Sequence, residues 1–265
     1  MTRVGAAIVL LAVVAALSAP WVVPYDPASQ QLSLRLERPS VHHPFGLDEL
    51  GRDIFSRVLA GARISLLVGI TVVGISTLVG VFLGAVAGYF GGWIDDLISR
   101  GIDVLLAFPG ILLAIALVAV LGPSLTNVVL ALSVIGWVGY ARLVRGQVLR
   151  AREFEFVQAA RALGASTARI LLRHILPTTM PAVMVQASLG MAGAILAEAA
   201  LSFLGLGVQP PAPSWGTMLN GGRLHLLDAP HLTIFPGAAI AVLVLGFNFL
   251  GDGLRDAIDP KRYRA

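Results

Sequence analysis

A carboxylate inside an apolar run is the first residue that asks for a chemical explanation. Glu198 stands within 180–204, a stretch otherwise dominated by small and apolar side chains. A charge at that depth is costly, so it is kept where it finds a partner or a wet cavity. Two roles are open: lining or gating a passage together with Ser202 and Phe203, or a structural hydrogen bond between helices. Asp95, Asp96 and Asp103 form a second acidic group. Paired membrane aspartates can cleave peptides, but these sit at the watery edge of an apolar run, where pairing with Arg100 is the simpler expectation. His42 and His43 could bind a metal with Asp48 or Glu49. Asp48, Arg52 and Asp53 either present charge to an outside partner or cap and pair within a short helix. The chain has no Cys, which excludes disulfides and thiolate metal sites. It has no G-x-x-x-x-G-K-[ST] loop, and its single Lys is Lys261, so it carries no P-loop ATPase of its own.

The elements that must position these residues are membrane helices. Of 265 residues, 57% are hydrophobic and 13% charged, and the mean hydropathy is +0.84. Soluble domains carry about 25% charged residues, so lipid must be much of this chain's solvent. The 29 glycines fit close helix packing in a bilayer. A spanning helix needs about 20 mainly apolar residues. Six runs qualify: 4–23, 64–88, 101–121, 125–144, 180–204 and 232–250. They are continuous, which excludes the alternating pattern of a barrel. The expected class is an all-α membrane protein of about six transmembrane helices. Its parts are an N-terminal anchor and outer segment (1–63), a core (64–257) containing an inner loop (150–177), and a tail (258–265). The first run is longer than a signal-peptide core and reads as a retained anchor. Trp21, Trp93 and Trp215 fall near interfaces, where aromatic belts form.

Charge placement orients the spans. With the N-terminus inside, inner segments hold Arg3, Arg100, Arg142, Arg145, Arg150, Arg152, Arg161, Arg169, Arg173, Arg255, Lys261, Arg262 and Arg264. Outer segments hold Arg35, Arg38, Arg52, Arg57, Arg63 and Arg223, balanced by Asp26, Glu37, Asp48, Glu49, Asp53 and Asp228. Basic residues concentrate on the cytoplasmic side of membrane proteins, so both termini are expected there. The net charge of +4 thus speaks of topology; no nucleic-acid partner is expected.

The inner loop is the most informative segment. Phe156, Ala160 and Leu163 recur at helical spacing. Glu153 and Glu155 suit the first turn of a helix, and Gly164 suits a left-handed C-terminal cap. Ser166 can cap a second helix from Thr167 to Leu176, which Pro177 would delimit. A short exposed helix of this kind either docks in a partner's groove or lies on lipid headgroups.

Several ordered motifs carry a resemblance. Gln158-Ala159-Ala160, Gly164 and Ile175-Leu176-Pro177 resemble the EAA loop of ATP-binding cassette (ABC) importer permeases, with Gln158 in place of Glu and His174 at the usual Ile. His43-Pro44-Phe45-Gly46-Leu47-Asp48, with Gly51-Arg52-Asp53, resembles H-P-x-G-T-D-x-x-G-R-D, with Leu47 for Thr. Gly61-Ala62-Arg63-Ile64-Ser65-Leu66, Glu198–Gly207, Ser214-Trp215-Gly216, Gly251–Asp256 and Asp259-Pro260 follow in family order. The chain resembles membrane subunits of the dipeptide/oligopeptide/nickel permease family over about 19–261, and most nearly the C-type permease subunit of dipeptide importers.

The resemblance implies a type I importer fold. It also implies a second homologous permease, two cytoplasmic ATP-binding subunits or domains that hold ATP and Mg, and an extracytoplasmic substrate-binding protein. Glu155, Phe156, Val157, Gln158, Ala159, Ala160, Arg161, Ala162, Leu163, Gly164 and Ala165 would form the coupling helix seated on an ATPase. Asp48, Arg52 and Asp53 would lie where a binding protein docks. The family's turn motif accounts for His43, and no metal site or resident cofactor is expected. Dipeptides or short oligopeptides are the expected cargo; nickel, glutathione and haem belong to the same branch. The rivals are ion-driven transport, which would leave the coupling loop idle, and an intramembrane enzyme, for which Glu198 lacks an evident mate.

Overall fold

The structure, a computed structural model, describes residues 1–258. Apart from Ile258, the 258–265 tail, including Asp259-Pro260 and Lys261, lies outside the described residues. The helices are α1 (Thr2–Val22), α2 (Ile54–Phe90), α3 (Gly92–Leu106), α4 (Gly110–Leu121), α5 (Leu125–Ala151), α6 (Glu155–Ala162), α7 (Thr167–Arg169), α8 (Leu176–Phe203), α9 (Trp215–Gly222) and α10 (His231–Ile258). A π-helical segment, Ile170–Ile175, joins α7 to α8. No strand occurs among the described residues. Among the described residues, five helical runs are long and apolar enough to cross a membrane, and a sixth if the bent pair α3 and α4 is one span.

Three boundaries differ from the sequence expectation. The second span starts at Ile54, not 64, so the 63/64 division falls inside α2. Asp53 sets this start: its Oδ2 accepts from the Ser56 N–H at 2.8 Å. The ten added residues include Arg57, which is buried by protein rather than lipid, so hydropathy alone could not include them. The third span is not one helix. α3 and α4 meet at 84°, with Pro109, which has no N–H to continue the ladder, as the residue before α4. At 12 residues, α4 is about 18 Å long, too short to cross a core of about 30 Å alone. Finally, Pro177 does not end a helix. The π turn absorbs the misfit and places Pro177 in the first turn of α8, where no ladder bond is asked of its nitrogen. Thr178 and Thr179 donate back to the carbonyls of Ile175 and Leu176, at 2.7 and 2.8 Å.

The central pairing is α2 on α5. Gly80, Gly84 and Gly88 recur every four residues and form one stripe of α2. Gly80 lies on the Trp137 carbonyl, Gly84 on Ala141 and Gly88 on Arg145. A Cβ on Gly84 would stand 2.5 Å from the Ala141 oxygen, and one on Gly88 2.8 Å from that of Arg145. Small residues thus bring two backbones into direct contact, as in other membrane helix pairs. α8 and α10 pack beside this pair, α1 rides on α10, and α9 closes one end against α8 and α10.

Gly84→Leu drives a side chain into a carbonyl that cannot move without its helix, at a cost of about 1–3 kcal/mol or more. The expected result is loss of the monodisperse peak on size exclusion of the detergent-extracted complex. Gly74→Leu, whose added Cβ meets nothing within 4 Å, should leave it intact. Equal behaviour of the two would contradict the close seam.

Candidate functional site

The loop between α5 and α7 is built as a rigid outrigger. Val157 is fully buried and packs in one cluster with Val144, Val148, Ala151, Ile170 and Ile175. Gln158 Nε2 donates to the Arg152 carbonyl at 3.1 Å, folding the start of α6 onto its own connection. Arg152 reaches across to the Gly88 carbonyl at 3.2 Å, and the Arg161 guanidinium lies 6.0 Å from the centre of the Tyr89 ring. Two arginines therefore fasten the loop to the last turn of α2.

Gly164 closes α6 as expected. Its φ is +77°, its N–H donates to Arg161 O and the Ala165 N–H donates to Ala160 O, both at 3.0 Å. These two bonds form a Schellman motif, which needs a left-handed residue at Gly164. Ser166 then caps α7, its hydroxyl accepting from the Arg169 N–H. The apolar stripe is left outside. Helical spacing groups Phe156, Ala160 and Leu163; in the structure Val157 turns inward to anchor the helix, while Phe156 is 45% and Leu163 88% exposed. Neighbouring Ala159, Ala162 and Glu155 are exposed too. α6 thus offers a small, partly apolar, partner-free surface on a fixed base.

The acidic group on α3 also pairs differently. Asp95 takes both prongs of Arg145, Nε to Oδ1 at 2.5 Å and Nη2 to Oδ2 at 2.8 Å. Asp103 meets Arg142 at 3.4 Å. Arg100 is partner to neither. The bend before α4 lays α3 against α5 and brings those arginines closer than the residue on its own helix. Two-pronged carboxylate pairs are the stronger and more directional kind, so α3 is clamped to the helix that leads into α6.

At the opposite end, Asp48, Arg52 and Asp53 are each less than a tenth exposed. Asp48 accepts from the N–H groups of Leu50 and Arg52, both at 2.9 Å, and from Arg52 Nε at 2.7 Å. Asp53 caps α2 and meets His43 Nδ1 at 2.9 Å. Arg57 anchors the loop through the Pro27 carbonyl at 2.8 Å. Of their two possible roles, capping and pairing is the one this geometry fits; little of any of them is left to touch a docking protein. Nearby, His225 lies 3.0 Å from Asp228 and holds that exposed carboxyl below the usual carboxylate range.

Glu198 is fully buried. Its Oε1 accepts from Ser202 Oγ at 2.7 Å, while its Oε2 and the Ser65 hydroxyl are buried without a hydrogen-bond partner among the described residues. Ser202 Oγ in turn accepts from the Val208 N–H at 3.3 Å. The pair ties the end of α8 to the segment that follows it, and neither Glu198 nor Ser202 exposes surface to a passing molecule. Phe203 lines a lipid-type groove with Leu196, Leu219, Ile240 and Val244. Trp215 is not a belt residue: it is 3% exposed and donates its indole N–H to the Val58 carbonyl at 2.9 Å, directly over Gly61. Sequence reading did not bring Ser65 and Ser214, both fully buried, to the surroundings of Glu198. The available signal was that the Gly61–Leu66, Glu198–Gly207 and Ser214–Gly216 motifs recur together, as segments that meet in space would.

Residues 80–264 match the family model described as "Binding-protein-dependent transport system inner membrane component". The chain belongs to that family. This permease is 50% identical over 258 residues to the "Dipeptide transport system permease protein DppC" of Alkalihalophilus pseudofirmus, covering 97% of this chain and 85% of the relative. It is 51% identical over 262 residues to the "Glutathione transport system permease protein GsiD" of Escherichia coli O6:K15:H31, covering 98% and 86%. A permease chain from inward-facing structures of the MetNI methionine ABC transporter superposes with a TM-score of 0.62 at 17% identity, covering 77% of this chain and 96% of that one. At that identity the shared property is the fold, that of type I ABC importer permeases. This permease is therefore an integral inner-membrane component of an ABC importer in the dipeptide/oligopeptide family, whose members are transport components that work with ATPase partners.

Substituting Gly164 tests the loop. Gly164→Ala must hold a left-handed backbone at a cost of about 1–2 kcal/mol. Gly164→Pro cannot adopt φ +77° at all, so α6 loses its closing bonds and its aim. The expected outcome is normal insertion and expression but largely abolished transport for the Pro variant, measured as substrate uptake in reconstituted vesicles, with Ala intermediate. Normal uptake by Gly164→Pro would count against the loop's role.

Proposed function

We propose that this chain is the membrane subunit through which short peptides, dipeptides first, enter the cell, driven by ATP hydrolysed on partner subunits. The observation that carries the cargo assignment is half identity, along nearly the whole chain, to permeases named for a dipeptide and for glutathione. Both cargoes are small peptides, so a pathway selecting for peptide groups serves either. Glutathione is the second reading, on the strength of the second relative.

In this proposal α6 is the coupling helix. Its Phe156 and Leu163 face enters a groove on one ATP-binding subunit, while Val157, Arg152 and Arg161 keep it rigid with the bundle. Closure of two ATP-binding subunits or domains would then move this permease and a second, homologous one between inward- and outward-facing states, the two-state element that coupling requires. ATP and Mg belong to those partners, since this chain has no P-loop. The end bearing α6 and the arginines at 142, 145, 150, 152, 161, 169 and 173 is placed in the cytoplasm, with both termini. The opposite end, with the Asp48–Asp53 loop and α9, faces a substrate-binding protein outside.

The test is to extract the tagged chain in mild detergent, identify copurifying subunits, and reconstitute them with the binding protein. Recovery of a second permease and an ATP-binding subunit is expected, with ATP hydrolysis stimulated by binding protein loaded with dialanine. Stimulation by glutathione alone would select the second reading. A chain that emerges alone, with uptake driven by an ion gradient, would overturn both.

A further inference from the structure

Among the described residues, Gln186 is the one polar side chain of α8 that opens on a cavity without a partner. Its backbone carbonyl accepts from Tyr140 Oη at 3.4 Å, but its side-chain amide has no hydrogen bond among the described residues. The amide lies over Gly139 of α5, 3.6 Å from where a Cβ would stand. It borders a cavity of about 280 Å³ walled by α2, α4, α5 and α8. Ser76, Tyr140, Gly136, Gly190 and Gly193 share that wall. Counting from residue 180, where the apolar run begins, Gln186 stands about 9 Å along α8, inside a hydrocarbon core of about 30 Å.

An unpaired amide at that depth is costly against lipid, so it must meet water, cargo or protein. The cavity is bordered by four helices of this chain and opens outward past Gly110, Ile111 and Gly193, and its volume of about 280 Å³ admits a peptide unit. A primary amide both donates and accepts, as a peptide group does, so it can pair with a peptide bond whatever the flanking side chains. We infer that Gln186 lines the translocation pathway and exchanges hydrogen bonds with the backbone amide of the passing peptide. This rests on the peptide-importer reading above. It also moves the pathway assignment away from Glu198 and Ser202, which are fully buried near the end of α8, to the middle of α8.

The native chain contains no cysteine, so Gln186→Cys introduces a single reporter in this subunit of the complete, reconstituted importer. A membrane-impermeant maleimide should label the new thiol in the assembled complex, and dialanine delivered by the binding protein should slow that labelling. In parallel, Gln186→Leu should lower dialanine uptake per ATP hydrolysed about tenfold, the loss of one hydrogen bond, with Gln186→Asn recovering part of it and complex assembly unchanged. The inference is overturned if the Gln186→Cys complex stays unlabelled, if its thiol cross-links only to the second permease, or if Gln186→Leu transports like the native chain. Failure of the importer reading looks different: the native complex itself would take up no peptide. Labelling of the Gln186→Cys variant in such a complex would retain the pathway position and remove the peptide as its cargo.

Discussion

The backbone contact between α2 and α5 is the constraint on which the rest depends. Without side chains at Gly80, Gly84 and Gly88, two long helices lie carbonyl to Cα over about two turns. In lipid there is no hydrophobic force to press helices together, so such close packing supplies much of the association energy. The seam also fixes where both helices end. The last turn of α2 carries the Gly88 carbonyl and the Tyr89 ring, and α5 runs straight on to Arg152. The two points to which the α6 loop is fastened are therefore held by the same glycine stripe.

The two ends of the bundle use polar chemistry differently. At the α6 end, charged groups join separate elements: Asp95 on α3 to Arg145 on α5, and Arg152 to the end of α2. These links tie the elbow helix, the core pair and the outrigger into one unit, so a force on α6 is carried into the spans rather than lost in bending a loop. At the opposite end, carboxylates serve backbone N–H groups and nearby arginines within a folded loop, and Glu198 with Ser202 ties the end of α8 to the Val208 N–H. That end is a lid of fixed shape. Between them, glycines of α5 and α8 border a cavity of about 280 Å³, where a passage with two states can be accommodated.

Much of this was legible in the sequence. Long apolar runs declare membrane helices because spanning segments must satisfy their own backbone, and Gly164 followed by Ser166 announced a cap and a restart that the structure contains. What remained hidden depends on neighbours. Hydropathy ends a span at its first charges, so it could not see that Arg57 is covered by protein and that α2 begins at Asp53. It ran through Pro109 because apolar residues continue on both sides, although Pro109-Gly110 is a breaker signal. Proximity along the chain matches Asp95 to Arg100, whereas the bend offers Arg145. In α6 the periodicity was legible but the anchor was not, since Val157, Phe156 and Leu163 are all apolar and only the position of α5 and Ile170 decides that Val157 turns inward. Gln186 carried no sequence signal beyond a polar letter in an apolar run.

The central claim is that α6 is a fixed outrigger whose exposed face meets an ATP-binding subunit. A photo-cross-linking amino acid at position 163, in the intact complex within native membranes, tests it most directly. The account predicts a cross-link to the ATP-binding subunit whose yield changes when ATP hydrolysis is trapped with vanadate. Cross-links confined to lipid in every nucleotide state would contradict it and leave α6 as a helix resting on the membrane surface.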